Sequence, residues 1–434
     1  MNHLSVDTVV IGAGHAGLAV SRLLSEARRD HVVLDRGRVG ERWRTERWDS
    51  LHLLTPSWMT RLPHWRYDGP EPEGFMSARA FASLLVRYAE SFAAPVVSGT
   101  TVLSVRRCGL DQYAVVTDRG TYLAKHVVVA TGPHGRPVVP HSIGATDLRV
   151  VHSSAYRNPA QLPAGGVLVV GASSSGVQIA DELLRSGRDV VVAVGRHTRM
   201  PRRYRGMDIF WWLEGTGRTA RTIDEVRDPA AARREPSLQL VGRPATQAAE
   251  TLDLAVLRAR GARLAGRLES LRGSTALFAD DLSDTVAAAD RVMHRVLDDV
   301  DAHVLRTGLE SEVRPAYRPR PLTDPRGPRR LHLGAEGIRT VVLAVGFRPD
   351  HTWLHVPGLR SDGVLRQYRG VTEAPGLYVV GQRFQHRRDS GFIDGARHDA
   401  HAVVHHLLTG SRPPVAPARS TSDRPDPVDG REAA

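Results

Sequence analysis

The sequence predicts an α/β fold with two Rossmann-like dinucleotide-binding units and a helical insertion. Three observations carry that expectation. Val9, Val10 and Ile11 form a short apolar run, the pattern of a buried parallel strand, and lead directly into Gly12, Gly14 and Gly17 at GxGxxG spacing. Val167 to Val170 lead in the same way into a second Gly/Ser turn, Gly171 to Gly176. Two more apolar strands, at 127–132 and 339–346, end in glycine.

In the first unit each glycine has a distinct task. Gly12 allows the turn, Gly14 lets the backbone approach a pyrophosphate, and Gly17 lets the helix pack close to the strand. Leu18, Ala19, Leu23 and Leu24 continue at helical spacing, and the helix N-terminus offers free N–H groups to phosphates. A second strand, His31 to Leu34, ends at Asp35, 23 positions after Gly12, where an acceptor for ribose hydroxyls is needed. The glycine spacing alone is a weak signal. Strand, turn, helix, strand and acid together make a dinucleotide site rather than an empty glycine-rich turn.

Trp43, Trp48 and Trp58 follow among Gly and Pro, without helix or strand periodicity. Their flat rings either wall a cofactor or simply pack a rigid loop. Phe81, Leu84, Leu85, Tyr88 and Phe92 mark the apolar face of a helix capped by Ser77. Short strands are expected at 96–97, 101–105, 113–117 and from Tyr122, with a turn at Asp118-Arg-Gly120. The strand at 127–129 then reaches Gly132, and a Pro-rich connection follows.

The second unit continues through Val177, Ala180, Leu183 and Leu184 to a stop at Gly187, then a strand from Asp189 to Gly195. Gly171, Ser173, Ser174 and Gly176 are its candidate phosphate contacts. No acid closes this unit. Arg196 stands there instead, with Arg199, Arg202, Arg203 and Arg205 close behind. Arginine suits a ribose 2′-phosphate, hence NADP; Arg196 is the first candidate, Arg199 or Arg203 the second, and the others fit a solvated face. Two units in one chain point to two dinucleotides and electron traffic between them.

From Met207 to about Pro328 the pattern is mostly helical, with an apolar patch at Phe210-Trp-Trp-Leu213 and one long helix through Leu282, Val286, Met293, Val296, Val300 and Val304. A strand at 376–381 ends in Gly381, and a last helix opens near Asp394; both positions are candidate cofactor contacts at element ends. The expected organisation is a first part of one unit at 1–160, the second unit at 161–340 with its insertion at about 205–330, and the C-terminal part of the first unit at 341–412. Residues 413–434 have the composition of a disordered tail.

Composition narrows the partners. The 434 residues carry a net charge of +12, almost all from arginine spread along the chain. That favours anionic cofactors over nucleic acid. No apolar run approaches the roughly 20 residues of a membrane span. Room for a signal peptide is lacking, and a single cysteine, Cys108, argues for a reducing cytoplasmic location. It also removes the paired-cysteine chemistry of disulfide reductases. His401 and His405 are spaced as metal ligands can be but lack a third ligand in register, so no metal is expected. Trp211 and Trp212 beside arginines fit an apolar wall or a packed insertion better than a nucleic-acid platform.

Taken together, these motifs resemble the class B flavoprotein monooxygenases: flavin-containing and Baeyer–Villiger monooxygenases, and a bacterial branch often labelled as cation-transport flavoproteins. The resemblance spans about residues 5–410. It rests on the first GxGxxG, Asp35-x4-Gly40-Glu41-x-Trp43, Trp48-Asp-Ser-Leu-x-Leu-x-Thr-Pro56, Ala130-Thr-Gly132, the second glycine-rich turn, and Ala344-Val-Gly346. It implies a fold of the FAD/NAD(P)-binding, glutathione-reductase-like kind. By resemblance Gly12, Gly14, Gly17, Asp35 and Arg36 bind FAD, Trp43, Asp49 and Thr55 lie near the flavin, and Gly171, Ser173, Gly176 and Arg196 bind NADPH. The family fingerprint FxGxxxHxxx(Y/F) keeps only its second half, at His152 and Tyr156, and Ser57 stands where asparagine is often found.

The implied chemistry is hydride transfer from NADPH to FAD, uptake of molecular oxygen as a flavin C4a-(hydro)peroxide, and insertion of one oxygen atom into a small organic substrate. Asp49 is the candidate charge beside flavin and nicotinamide, unless it is a turn aspartate, and Ser57 the candidate donor to the peroxide. The alternative is a redox-sensing or transport-regulating flavoprotein, or an NADPH oxidase, that does not oxygenate a substrate. A homodimer is the candidate assembly.

Overall fold

The computed structural model of the chain describes residues 3–109, 111–244, 250–360 and 363–411. The tail expected to be disordered, 413–434, lies outside the described residues. Two sheets with parallel cores organise the chain. In the first, His3–Ile11 lies between His31–Leu34 and Gly120–Val129, with Val96–Val97 beyond His31–Leu34. Val9, Val10, Val127 and Val128 are fully buried. Helices cover such strands on both faces, which explains their unbroken apolar runs.

Gly120–Val129 is one strand where the sequence suggested two, because no turn residue interrupts Ala124-Lys-His126. Its first half pairs antiparallel with Tyr113–Thr117, and its second half pairs parallel with Leu377–Val379. Asp118 and Arg119 make the expected two-residue turn, and the Asp118 carboxylate accepts from the Thr101 N–H at 2.9 Å.

The second sheet is parallel throughout, in the order Arg149–His152, Ile338–Leu343, Gly166–Val170, Val190–Ala193, Arg263–Ala265. The chain therefore enters it at Arg149, ahead of the residue 160 expected from the sequence. Its second strand, Ile338–Leu343, comes after the insertion and closes the sheet.

The insertion is not purely helical. Arg263–Ala265 belongs to the parallel sheet, and Leu268–Arg272, Thr275–Phe278 and Arg330–His332 form a small antiparallel sheet. These strands are only three to five residues long and carry charges, so they give little period-two signal. The long helix is as expected, Leu282–Thr307, closed by Gly308 at φ +65°. Met293, Val296, Leu297, Val300 and Val304 pack onto Phe210 and Trp212 of the short helix Ile209–Gly215. The Trp212 indole N–H donates to the Tyr204 carbonyl at 2.7 Å, which locks the short helix in place.

Among the described residues no helix is long and apolar enough to cross a membrane, and no group of three metal-ligating side chains converges.

Candidate active site

The first glycine turn is built as its spacing requires. Gly12 has φ +112°, and a Cβ there would meet the Ala130 carbonyl oxygen at 2.6 Å. A Cβ on Gly17 would lie 1.9 Å from the Gly12 carbonyl oxygen, which is the close helix–strand approach. Gly14 differs: nothing in the chain lies within 4 Å of a Cβ there. The protein itself does not need glycine at 14, so the open space belongs to a ligand. Asp35 stands beside the turn. Its two oxygens accept from Ala13 N–H at 2.7 Å and Gly37 N–H at 2.8 Å, which orients the carboxylate and leaves lone pairs for sugar hydroxyls.

A cavity of about 1090 Å³ opens from this turn. Asp35, Arg36, Thr100 and Val102 line one end; Gly12, Gly14, Gly132 and Gly381 line its middle. Trp43, Leu53, Leu54 and Thr55 also line it, and Phe210, Leu213, Val296 and Phe392, which pack together in one cluster, give it an apolar chamber with Val292. An extended dinucleotide with a flat ring matches this sequence of surfaces: a sugar acceptor, a glycine cradle, then apolar walls. FAD, the cofactor that the fold implies, fits the residues present.

The cavity is strongly cationic in the middle. Burial pushes the Arg47 guanidinium down to about 10, with Glu46 opposing and Arg42 and Arg157 adding to the effect. Burial and the charges of Arg47, Arg42 and Arg383 push His134 down to about 3. Burial alone pushes His15 down to about 4. Both imidazoles are neutral at physiological pH, and the excess positive charge awaits anions. Sequence reasoning missed Arg42, Arg47, His134 and Arg383, because they meet only in the folded chain.

The second turn repeats the first. Gly171 has φ +107°, and a Cβ on Gly176 would sit 1.9 Å from the Gly171 carbonyl oxygen. Ser173 precedes the helix Ser174–Arg185 without capping it through its side chain. Gln239, fully buried, donates to the Ala172 carbonyl at 2.6 Å, so the chain's own segment flanks this turn. Arg196 is exposed, and its guanidinium donates to the Arg234 carbonyl. None of these residues lines the large cavity.

Three expectations are corrected by the geometry. Arg199 is buried and ion-paired with Asp290 at 2.7 Å and Asp253 at 3.0 Å, so it is engaged inside the fold rather than offered to a phosphate. The Asp49 carboxylate is exposed outside the cavity and accepts from the Asn158 amide at 2.6 Å. The turn aspartate is thus the reading that holds. Ser57 is buried, but its hydroxyl donates to the Gly74 carbonyl at 2.9 Å and does not reach the cavity. The Asp394 carboxylate, in the first turn of the last helix, is engaged by Arg61 at 2.7 Å and Arg397 at 2.8 Å, while Gly391, Phe392 and Ile393 at the same helix N-terminus line the cavity, so a backbone contact there stays an expectation. Of the three tryptophans in the loop, Trp43 lines the cavity, edge-on to Phe81 at 4.9 Å, while Trp48 is core.

The half-broken fingerprint is structural here: Tyr156 is fully buried and donates to Glu182 at 2.5 Å, and His152 contacts the Gly346 carbonyl at 3.1 Å.

Fold, paired glycine turns and the cationic cavity define a two-nucleotide flavoprotein oxidoreductase. Residues 9–213 match the pyridine nucleotide-disulphide oxidoreductase family. The chain is 30% identical over 421 residues to an uncharacterized CzcO-like oxidoreductase of Geobacillus kaustophilus, covering 94% of this chain and 99% of that one. It shares the fold of a flavin-containing monooxygenase from Stenotrophomonas maltophilia at TM-score 0.63 and 19% identity, over 93% of this chain and 98% of that one. A crystal structure of OTEMO in complex with FAD and NADP aligns at TM-score 0.52 and 16% identity, over 93% of this chain and 85% of that one. The chain belongs to the CzcO-like oxidoreductases.

Proposed function

We propose that this protein is an NADPH-dependent, FAD-containing monooxygenase that transfers one oxygen atom of dioxygen to a small organic substrate. The observation that carries the reading is the single cavity joining a glycine cradle to an apolar chamber. Gly12, Gly14, Gly132 and Gly381 would cradle FAD, with Asp35 and Arg36 to receive its adenosine and Trp43 and Thr55 to flank its ring. NADPH binds at Gly171, Ser173, Ser174 and Gly176, with Arg196 as the arginine for the 2′-phosphate. Bound FAD supplies hydride acceptance and oxygen activation. NADPH gives two electrons and, with one proton from solvent, reduces one atom of dioxygen to water while the other enters the substrate.

The chain's own contribution is to bind, orient and keep water out. Met200, Phe210, Leu213, Val292, Val296 and Phe392 give the chamber its apolar surface. His15 and His134, held neutral, add no charge beside the cofactor. Disulfide exchange through a cysteine pair is not available, because Cys108 is the single cysteine and does not line the cavity.

The test is incubation of the purified yellow protein with NADPH, ¹⁸O₂ and a panel of sulfides, amines and ketones. We expect substrate-stimulated NADPH oxidation and a product carrying one ¹⁸O. Hydrogen peroxide equal to the NADPH consumed, with unlabelled substrates throughout, would identify an oxidase and overturn the reading.

A further inference from the structure

The cavity has a charge pattern beside its apolar chamber that a purely apolar substrate does not explain. Arg218 and Arg388 line the cavity together with two carboxylates, Glu235 and Asp389, and Arg383 reaches toward them from beside His134. Asp389 is already held by Arg387, at 3.0 Å. Glu235 pairs with Arg388 at 2.5 Å, and its backbone carbonyl accepts from Arg383. Among the described residues Arg218 makes an ion pair with Asp299 at 3.3 Å, a carboxylate that is 63% exposed, and feels the charge of Glu235 as well. The chamber therefore holds more guanidinium than carboxylate. Burial first, then the neighbouring Arg388, weakens the hold of Arg218 on its proton, with Asp299 and Glu235 opposing.

Directly beside these guanidinium groups lie Phe210, Leu213, Val292, Val296 and Phe392. Phe210 and Phe392 stand edge to face at 5.8 Å. A nucleotide phosphate would satisfy the charge but has no use for these walls. An alcohol or amine would fill the walls but leave the charge unanswered or increase it.

We infer that this chamber takes an amphiphilic carboxylate, its apolar body against Phe210, Val296 and Phe392 and its anionic head on Arg218 with Arg388. The inference rests on the monooxygenase reading, because it names the substrate class of that site. Arg218 selects the head group, and the two phenylalanines select an aromatic or branched body.

The experiment uses the oxidised flavoprotein and no turnover, so its failure is separate from a failure of oxygen transfer. Three isosteric probes, 4-phenylbutyrate, 4-phenylbutanol and 4-phenylbutylamine, are titrated while the flavin spectrum is followed. We expect the carboxylate to bind about tenfold or more tighter than the alcohol, with the amine weakest, as a charge-assisted hydrogen bond implies. Arg218→Gln should bring the carboxylate and alcohol together, and Arg218→Lys should restore part of the preference. Titration of 2′,5′-ADP is the counter-arm. Equal binding of the carboxylate and alcohol to the unaltered protein would overturn the inference. So would an Arg218→Gln variant that loses affinity for 2′,5′-ADP while keeping the carboxylate preference, since the arginine would then serve the nicotinamide nucleotide. The comparison on the unaltered protein decides the matter even if the variants do not fold.

Discussion

Gly17 and Gly12 are pressed together so closely that a Cβ on Gly17 would lie 1.9 Å from the Gly12 carbonyl oxygen, while Gly14 between them faces open space. Two of the three glycines serve the fold and one serves the ligand. Gly14→Val should therefore fold and lose FAD, whereas Gly17→Ala should destabilise the domain itself. Flavin absorbance after gel filtration, read beside the thermal unfolding midpoint, separates the two. A Gly14→Val protein that keeps its full yellow colour would move the pyrophosphate elsewhere.

The arginines after the second unit should behave differently from one another. Arg196→Ala should lower the NADPH-over-NADH ratio of kcat/KM by about ten- to a hundredfold, the worth of a charge-assisted contact. Arg199→Ala should instead unfold more easily, by about 3–5 kcal/mol, because it strands Asp253 and Asp290 inside the protein. Coenzyme kinetics and urea titration give opposite patterns for the two variants. The assignment of Arg196 fails if its coenzyme ratio does not move.

Ser57→Ala should cost about 1 kcal/mol through the lost bond to Gly74, with no specific effect on oxygen transfer. Ser57→Asn should cost more, because the larger amide must fit a site that is 2% exposed. Chemical denaturation measures both. A change in coupling of NADPH to product without a change in stability would return Ser57 to the chemistry.

The contribution to stability of two buried carboxyls, Asp389 and Asp399, should fall as the pH rises from about 4 to about 8, against the rise that the depressed His15 and His134 give as the pH climbs toward 6.5. Burial pushes the Asp399 carboxyl up to about 8, and burial likewise pushes Asp389 up to about 6. Each stays protonated in the folded chain where the unfolded chain has already lost its proton. The associated stability is complete below the ordinary carboxylate range and is lost as the pH climbs through the folded value. Asp399 Oδ1 accepts from Ser390 at 3.1 Å, and an asparagine keeps that acceptor. Asp399→Asn should thus flatten the alkaline side of the unfolding midpoint against pH. A variant with the same slope as the unaltered protein would rule out this carboxyl as its source.

What the sequence made legible follows from locality. Gly12, Gly17, Gly171 and Gly176 act on neighbours within a few residues, so their spacing carries their geometry. The helix Leu282–Thr307 was legible because one face repeats over seven turns. Asp49 and Ser57 were misread because they sit on irregular backbone, where no period fixes the direction of a side chain. Ser57 belongs to a short 3₁₀ turn, Ser57–Met59, that faces its hydroxyl to Gly74. Arg47, Arg218 and Arg383 were missed for a third reason: they come from remote segments, and only the closed fold makes them neighbours.

The segment carrying Arg234 and Glu235 bridges Arg196 and the arginines of the cavity. Its backbone occupies Arg196 of the second unit, and Glu235 occupies Arg383 and Arg388 at the substrate end. A phosphate on Arg196 would compete with that peptide carbonyl, one residue from the Glu235 that holds Arg388. Were release of the Arg234 carbonyl to shift Glu235, reciprocity would require that an anion drawing Arg388 away from Glu235 change the affinity at Arg196 by the same factor. Coenzyme and substrate would thereby report on each other through two residues of main chain.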